Sequence, residues 1–148
     1  MRRLLGLDYG SKTVGTAATD PLGLTVQPVE TIVRKEEKKL RRTLARIEAL
    51  CREMEISAVV VGLPLNMDDT EGERAQLARQ FGEAVARRTG LPVYYEDERL
   101  TTLEAGEILD ETGFARKDRK EVIDQLAAVL ILESFISREE VKHGEDQI

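Results

Sequence analysis

The chain has 148 residues with 41% apolar and 34% charged side chains, which suits one globular domain and excludes a disordered polymer. Its net charge of −6 argues against a protein that coats nucleic acid nonspecifically, and 4% aromatics without tryptophan argue against base stacking as the main mode of binding. One cysteine, Cys51, excludes an internal disulfide. No run reaches the roughly 20 apolar residues of a membrane span, and Asp8 interrupts the short apolar N-terminus, so the expected location is cytoplasmic, with no membrane partner.

In chain order, Leu4 to Asp8 is a short apolar run that ends on an acid, and it is predicted as a buried strand. Tyr9-Gly10-Ser11-Lys12 is a turn in which Gly10 can take positive φ, and Val14 to Thr19 returns as the second arm of a hairpin. Leu24 to Val33 is a third strand, and Pro28 within it marks an edge or a bulge. Leu40, Leu44, Ile47, Cys51 and Met54 form one helical stripe, which makes Cys51 a small core residue. Ala58 to Gly62 is a β-branched run typical of a parallel strand buried on both faces. Leu63 to Gly72 is a loop. Thr70 and Glu73 have capping-box spacing before a helix to Arg88 that Gly90 ends. Pro92 to Glu96 is a fifth strand. Thr101 and Glu104 repeat the capping pattern for a helix to about Glu111, residues 113–118 are a loop, and Lys120 to Ser137 is the last helix. The polar residues 139–148 are expected to be a flexible tail beyond a single domain at 1–138. Three leading strands followed by strand–helix alternation predict an α/β fold, a mixed five-stranded sheet with helices on both faces.

Three carboxylates fall where burial makes a charge expensive. Asp8 ends the first strand, Glu98 follows the fifth, and Asp124 interrupts the apolar run from Val122 to Leu132 and is expected to be the costliest of the three. Open α/β sheets bind ligands at the carboxyl ends of their strands, and a divalent cation is a partner that three carboxylates can share. Taken singly, each has a bland role as a turn cap, an ion-pair partner of Arg99 or a satisfied core acid. The only histidine, His143, lies in the tail, no Cys/His cluster suits zinc, and no P-loop is present. Basic residues gather in two places, seven between Arg34 and Arg46 and four between Arg116 and Lys120. Such patches can steer a polyanion even on an acidic protein, or they are solvated surface.

The blocks Leu5-Gly6-Leu7-Asp8-Tyr9-Gly10-Ser11-Lys12-Thr13-Val14-Gly15, Val61-Gly62-Leu63-Pro64-Leu65-Asn66-Met67-Asp68, Asp97-Glu98-Arg99-Leu100-Thr101-Thr102 and Ile123-Asp124-Gln125-Leu126-Ala127-Ala128 resemble the signatures of the YqgF/RuvX family in order and spacing. These are bacterial proteins named Holliday-junction resolvases and described as the pre-16S rRNA nuclease. The resemblance runs from about residue 2 to 137. It implies a ribonuclease-H-like fold and a metal-dependent phosphodiester nuclease that processes the 5′ end of precursor 16S rRNA, with RNA on pre-ribosomal particles as the partner. The implied catalytic and metal-holding acids are Asp8, Glu98 and Asp124, with two Mg²⁺ or Mn²⁺ ions bridged by Asp8. Related resolvases carry a further acid one turn before the last. Glu121 stands there in place of aspartate and is not counted as a ligand. Lys12, Asn66, Lys117, Arg119 and Lys120 are the implied substrate contacts, and Lys120 precedes Asp124 by one turn. A four-way DNA junction is the alternative substrate. A small-molecule ATPase of the actin/hexokinase type is weakened by the presence of one domain where two are needed. A noncatalytic ribosome-assembly factor is weakened by the retained acids.

Overall fold

The computed structural model describes residues 2–98 and 116–146, with the side chains at 116–121 and 141–146 excepted. Strands β1 (Leu4–Tyr9), β2 (Thr13–Thr19) and β3 (Val26–Val33) lead, followed by helix α1 (Arg41–Glu53), β4 (Ala58–Leu63), α2 (Glu73–Thr89), β5 (Val93–Asp97) and α3 (Arg116–Asp146). They form one sheet in the order β3-β2-β1-β4-β5, in which β1 pairs antiparallel with β2 and parallel with β4, and β4 pairs parallel with β5. The carboxyl ends of β1, β4 and β5 therefore lie at one end of the sheet.

Side chains alternate across each strand. Leu5, Leu7 and Tyr9 join Val59, Val61, Ile47, Leu50, Phe81 and Val85 in the core under α1 and α2. Leu4, Ala17, Ala58 and Val60 meet Ala128, Ile131, Leu132 and Phe135 of α3 on the other face. Asp8, in phase with Leu4 and Gly6, thus belongs to the α3 face. Cys51 lies on the buried face of α1, and burial pushes its thiol up to about 11. Among the described residues, no helix is long and apolar enough to cross a membrane.

β3 is an edge, and the register shift between Thr16 and Ala17 opposite Val29 is the irregularity that Pro28 announced. Several boundaries differ from expectation. β3 begins at Val26, not Leu24, because the Asp20 carboxylate accepts the Leu24 and Thr25 N–H groups and the Thr25 hydroxyl, folding 20–25 into a turn. The Thr70–Glu73 capping box does not form. The Thr70 hydroxyl donates to Asp68 Oδ1 at 2.5 Å, and α2 starts behind Gly72 without a side-chain cap. Gly10 needs no positive φ. Gly23 and Gly90 have it, and Gly90 ends α2 in the left-handed conformation as anticipated. α3 is longer than the Lys120–Ser137 span at both ends, so helix occupies 116–118 and continues into the stretch read as tail. The helix expected between Thr101 and Glu111, with its cap, lies outside the described residues.

A candidate acidic site at the carboxyl end of the sheet

β1 delivers Asp8 on its next-to-last residue, facing α3. β5 delivers Glu98 one residue past its end, where the Glu98 N–H donates to the Leu63 carbonyl at 3.1 Å and ties that turn to β4. α3 delivers Asp124 one turn ahead of Ala127 and Ala128, which are packed against the sheet. The structure brings the first two into direct contact: the Glu98 carboxyl donates a hydrogen bond to the Asp8 carboxylate. Asp124 stands close enough for its charge to act on Asp8.

Both contacting acids hold their protons more tightly than free carboxyls. Burial raises Asp8 first, Asp124 adds to the rise, and the hydrogen bond from Glu98 opposes it. Glu98, 7% exposed, is pushed up to about 10 by burial, then by the Asp8 charge and hydrogen bond and by Asp97. Arg74 pulls in the opposite direction. By exposed area Glu98 is the most buried of the three, while Asp8 and Asp124 are each partly exposed.

The remaining expected residues are less concentrated. Lys12 is exposed on the β1–β2 turn, where its carbonyl accepts the Arg34 N–H at 2.8 Å. Asn66 is exposed, and its Nδ2 donates to Thr70 Oγ1 at 3.0 Å, which gives it the turn role. The backbones of Lys117, Arg119 and Lys120 lie in the first turns of α3, ahead of Asp124.

Arg74 was not singled out in the sequence. It sits in the first turn of α2, pairs with Glu37 at 2.6 Å and lies 5.7 Å from the centre of the Tyr9 ring, next in chain to Asp8. A single arginine in a helical pattern gives no signal of this placement. Arg34, counted in the basic patch, is buried, with its Nη2 donating to the Gly10 carbonyl at 2.6 Å and its guanidinium 4.8 Å from the Tyr9 ring. Arg46 is engaged bidentately by Glu30. Part of that patch is therefore internal structure.

Three carboxylates form an all-oxygen donor set, the chemistry that hard divalent cations select. Among the described residues no three such groups already stand in a metal-holding arrangement. Asp8 and Glu98 instead face each other, and burial raises both.

Against known proteins, a family model described as "RuvX: Holliday junction resolvase" matches residues 2–138. The chain belongs to this family. Proteins named "Putative pre-16S rRNA nuclease" share 60% identity over 134 residues in Lachnospira eligens, covering 90% of this chain and 96% of that one, and 52% over 134 residues in Agathobacter rectalis, covering 90% and 94%. Among solved structures, Thermus thermophilus RuvC bound to a Holliday-junction substrate superposes with a TM-score of 0.56 at 17% identity, over 92% of this chain and 96% of that one. At that identity the likeness concerns the fold, which is the ribonuclease-H-like one expected of this RuvX-family chain.

Proposed function

We propose that this RuvX-family protein is a divalent-metal-dependent nuclease that processes the 5′ region of precursor 16S rRNA, with Asp8, Glu98 and Asp124 as its catalytic acids. The observation that carries this reading is the convergence of these three acids on one face at the carboxyl end of the sheet, with Glu98 buried and in contact with Asp8. Isolated buried carboxylates are expensive, and an arrangement that holds several together is expected where their charge is used. The names of the 60% and 52% identical relatives supply the substrate.

Asp8, Glu98 and Asp124 would hold Mg²⁺ or Mn²⁺, which when bound supplies an activated water and stabilises the leaving oxygen of the phosphodiester. The protein's own part is to give up the Glu98 proton to solvent, freeing both carboxylates as ligands. A two-ion arrangement, with Asp8, Glu98 and Asp124 as the residues that would hold the ions, belongs to this proposal. Arg74 acts on Glu98 from α2, Lys12 is exposed on the turn after β1, and Lys117, Arg119 and Lys120 precede Asp124 in α3, a distribution suited to flanking phosphates.

The test is incubation with Mn²⁺ and, in parallel, a precursor 16S rRNA 5′ region and a synthetic four-way junction, for wild type and Asp8→Asn. Cleavage of the RNA by wild type, and its loss by more than about tenfold in a variant that melts normally, is the expected result. Preferential cutting of the junction would transfer the activity to the substrate in the family's description, and an active Asp8→Asn would remove the acids from catalysis.

A further inference from the structure

Asp8 has a glycine on either side of it in the sheet. Gly15 on β2 is its registered partner on β1. On β4, Val61 pairs with Leu7, and the next residues along the two parallel strands are Gly62 and Asp8. Both glycines lie beneath an acid. A Cβ on Gly15 would stand 2.0 Å from the Asp124 carbonyl oxygen, 2.3 Å from its carbonyl carbon and 2.9 Å from its Cβ. A Cβ on Gly62 would stand 2.6 Å from Glu98 Oε2, 2.9 Å from its carboxyl carbon and 2.5 Å from Ile131 Cδ1. Packed atoms do not tolerate such separations, so something must move.

We propose that Gly15 and Gly62 are positioning residues of the acidic site: the missing side chains are the seats in which Asp124 and Glu98 are set on either side of Asp8. This rests on the three-acid reading of the site. The row Gly15–Asp8–Gly62 crosses three adjacent strands, about 4.8 Å apart, so the acids above it are spaced by the sheet's own repeat. The two seats act differently. Gly15 meets the main chain of α3, and a methyl there lifts the helix that carries Asp124. The atoms nearest to a Cβ on Gly62 are the ends of two side chains, and a methyl there swings the Glu98 carboxyl away while the strand and helix stay in place.

Gly62→Ala is therefore the deciding variant, because the atoms it meets can yield without unfolding the chain. Gly82→Ala is its counterpart: a Cβ there would stand 2.4 Å from Tyr95 Oη, an equal steric insult on the opposite face of the sheet, remote from the acids. Mn²⁺ binding without substrate is followed by calorimetry, and cleavage by kcat and KM. Gly62→Ala is expected to weaken Mn²⁺ binding by about tenfold or more, the scale at which groups supporting metal ligands act, and to lower kcat with KM unchanged. Gly82→Ala is expected to lower the melting temperature and leave Mn²⁺ affinity and kcat at the wild-type level. Gly15→Ala, where it folds, follows Gly62→Ala and also loses stability. Wild-type Mn²⁺ affinity in Gly62→Ala, or equal losses in Gly62→Ala and Gly82→Ala, would overturn the proposal. Absence of Mn²⁺ binding by the wild type is a different result, and it would overturn the three-acid reading itself.

Discussion

At the scale of single residues, burial holds the Glu98 carboxyl far above its ordinary range. Its ordinary carboxyl range lies near 4.5 and its folded value near 10. A group raised on folding contributes stability that is complete below its unfolded value and is lost as pH climbs toward its folded one. The metal-free protein should therefore lose stability progressively between about pH 5 and pH 9 through this group. Glu98→Gln keeps the donor to Asp8 and cannot ionise. In EDTA its melting temperature should match wild type near pH 5, exceed it increasingly toward pH 9 and respond less to added Mn²⁺. A gap between the two proteins that does not change with pH would show that Glu98 ionises freely. Asp8 and Asp124 stood out in the sequence because each breaks an apolar pattern, and Glu98 because it follows a strand, but the burial of Glu98 did not. Burial of Glu98 depends on Gly62 and Ile131, which are distant in sequence and adjacent only across the fold.

Among the elements, α3 does the most to hold the acids together, and it is pinned to β5 by more than apolar contact. Glu96 is buried, receives the Ser134 hydroxyl at 2.7 Å and pairs with Arg138 at 2.5 Å. Arg138 is 60% exposed, so Arg138→Ala alone should cost only about 0–1 kcal/mol in urea unfolding. Ser134→Ala with Arg138→Ala strips both the hydroxyl and the guanidinium from a buried carboxylate and should cost about 2–4 kcal/mol, part of which Glu96→Gln restores. Simple additivity of the two single effects would contradict the pin. The order of elements along the chain and the irregular edge at β3 followed from sequence because β-branched runs, Pro28 and the α1 stripe are strong local signals. The helix starts did not. At 68–73 the Asp68 carboxylate captured the threonine that spacing had assigned to the cap, and a local side-chain bond of this kind competes with helix initiation over too short a range for spacing to reveal.

On the scale of the whole molecule, an acidic protein must bind a polyanion through local charge. With Arg34 buried and Arg46 held by Glu30, the cations of the first patch that face outward are Lys35, Lys38, Lys39, Arg41 and Arg42. Lys117→Ala with Arg119→Ala should weaken RNA binding and flatten its dependence on salt, by about 0.7 in log–log slope for each phosphate that these side chains cease to neutralise. An unchanged slope would return these residues to solvated surface. Net charge and patch composition could be read from the sequence, but the division of the first patch into internal and external cations required the fold, since Arg34 differs from Lys35 only in the face of the chain it occupies.

The burial of Cys51 also makes the protein convenient to follow optically. Its thiol, the sole one in the chain, lies on the buried face of α1 and is held near 11, so the reactive thiolate is scarce at neutral pH. A cysteine introduced at Met67, 74% exposed in the loop after β4, would be the single fast-reacting position for a maleimide dye. Such a label would report arrival of a nucleic acid at the rim of the acidic site in real time, with the native cysteine left in place as a silent bystander.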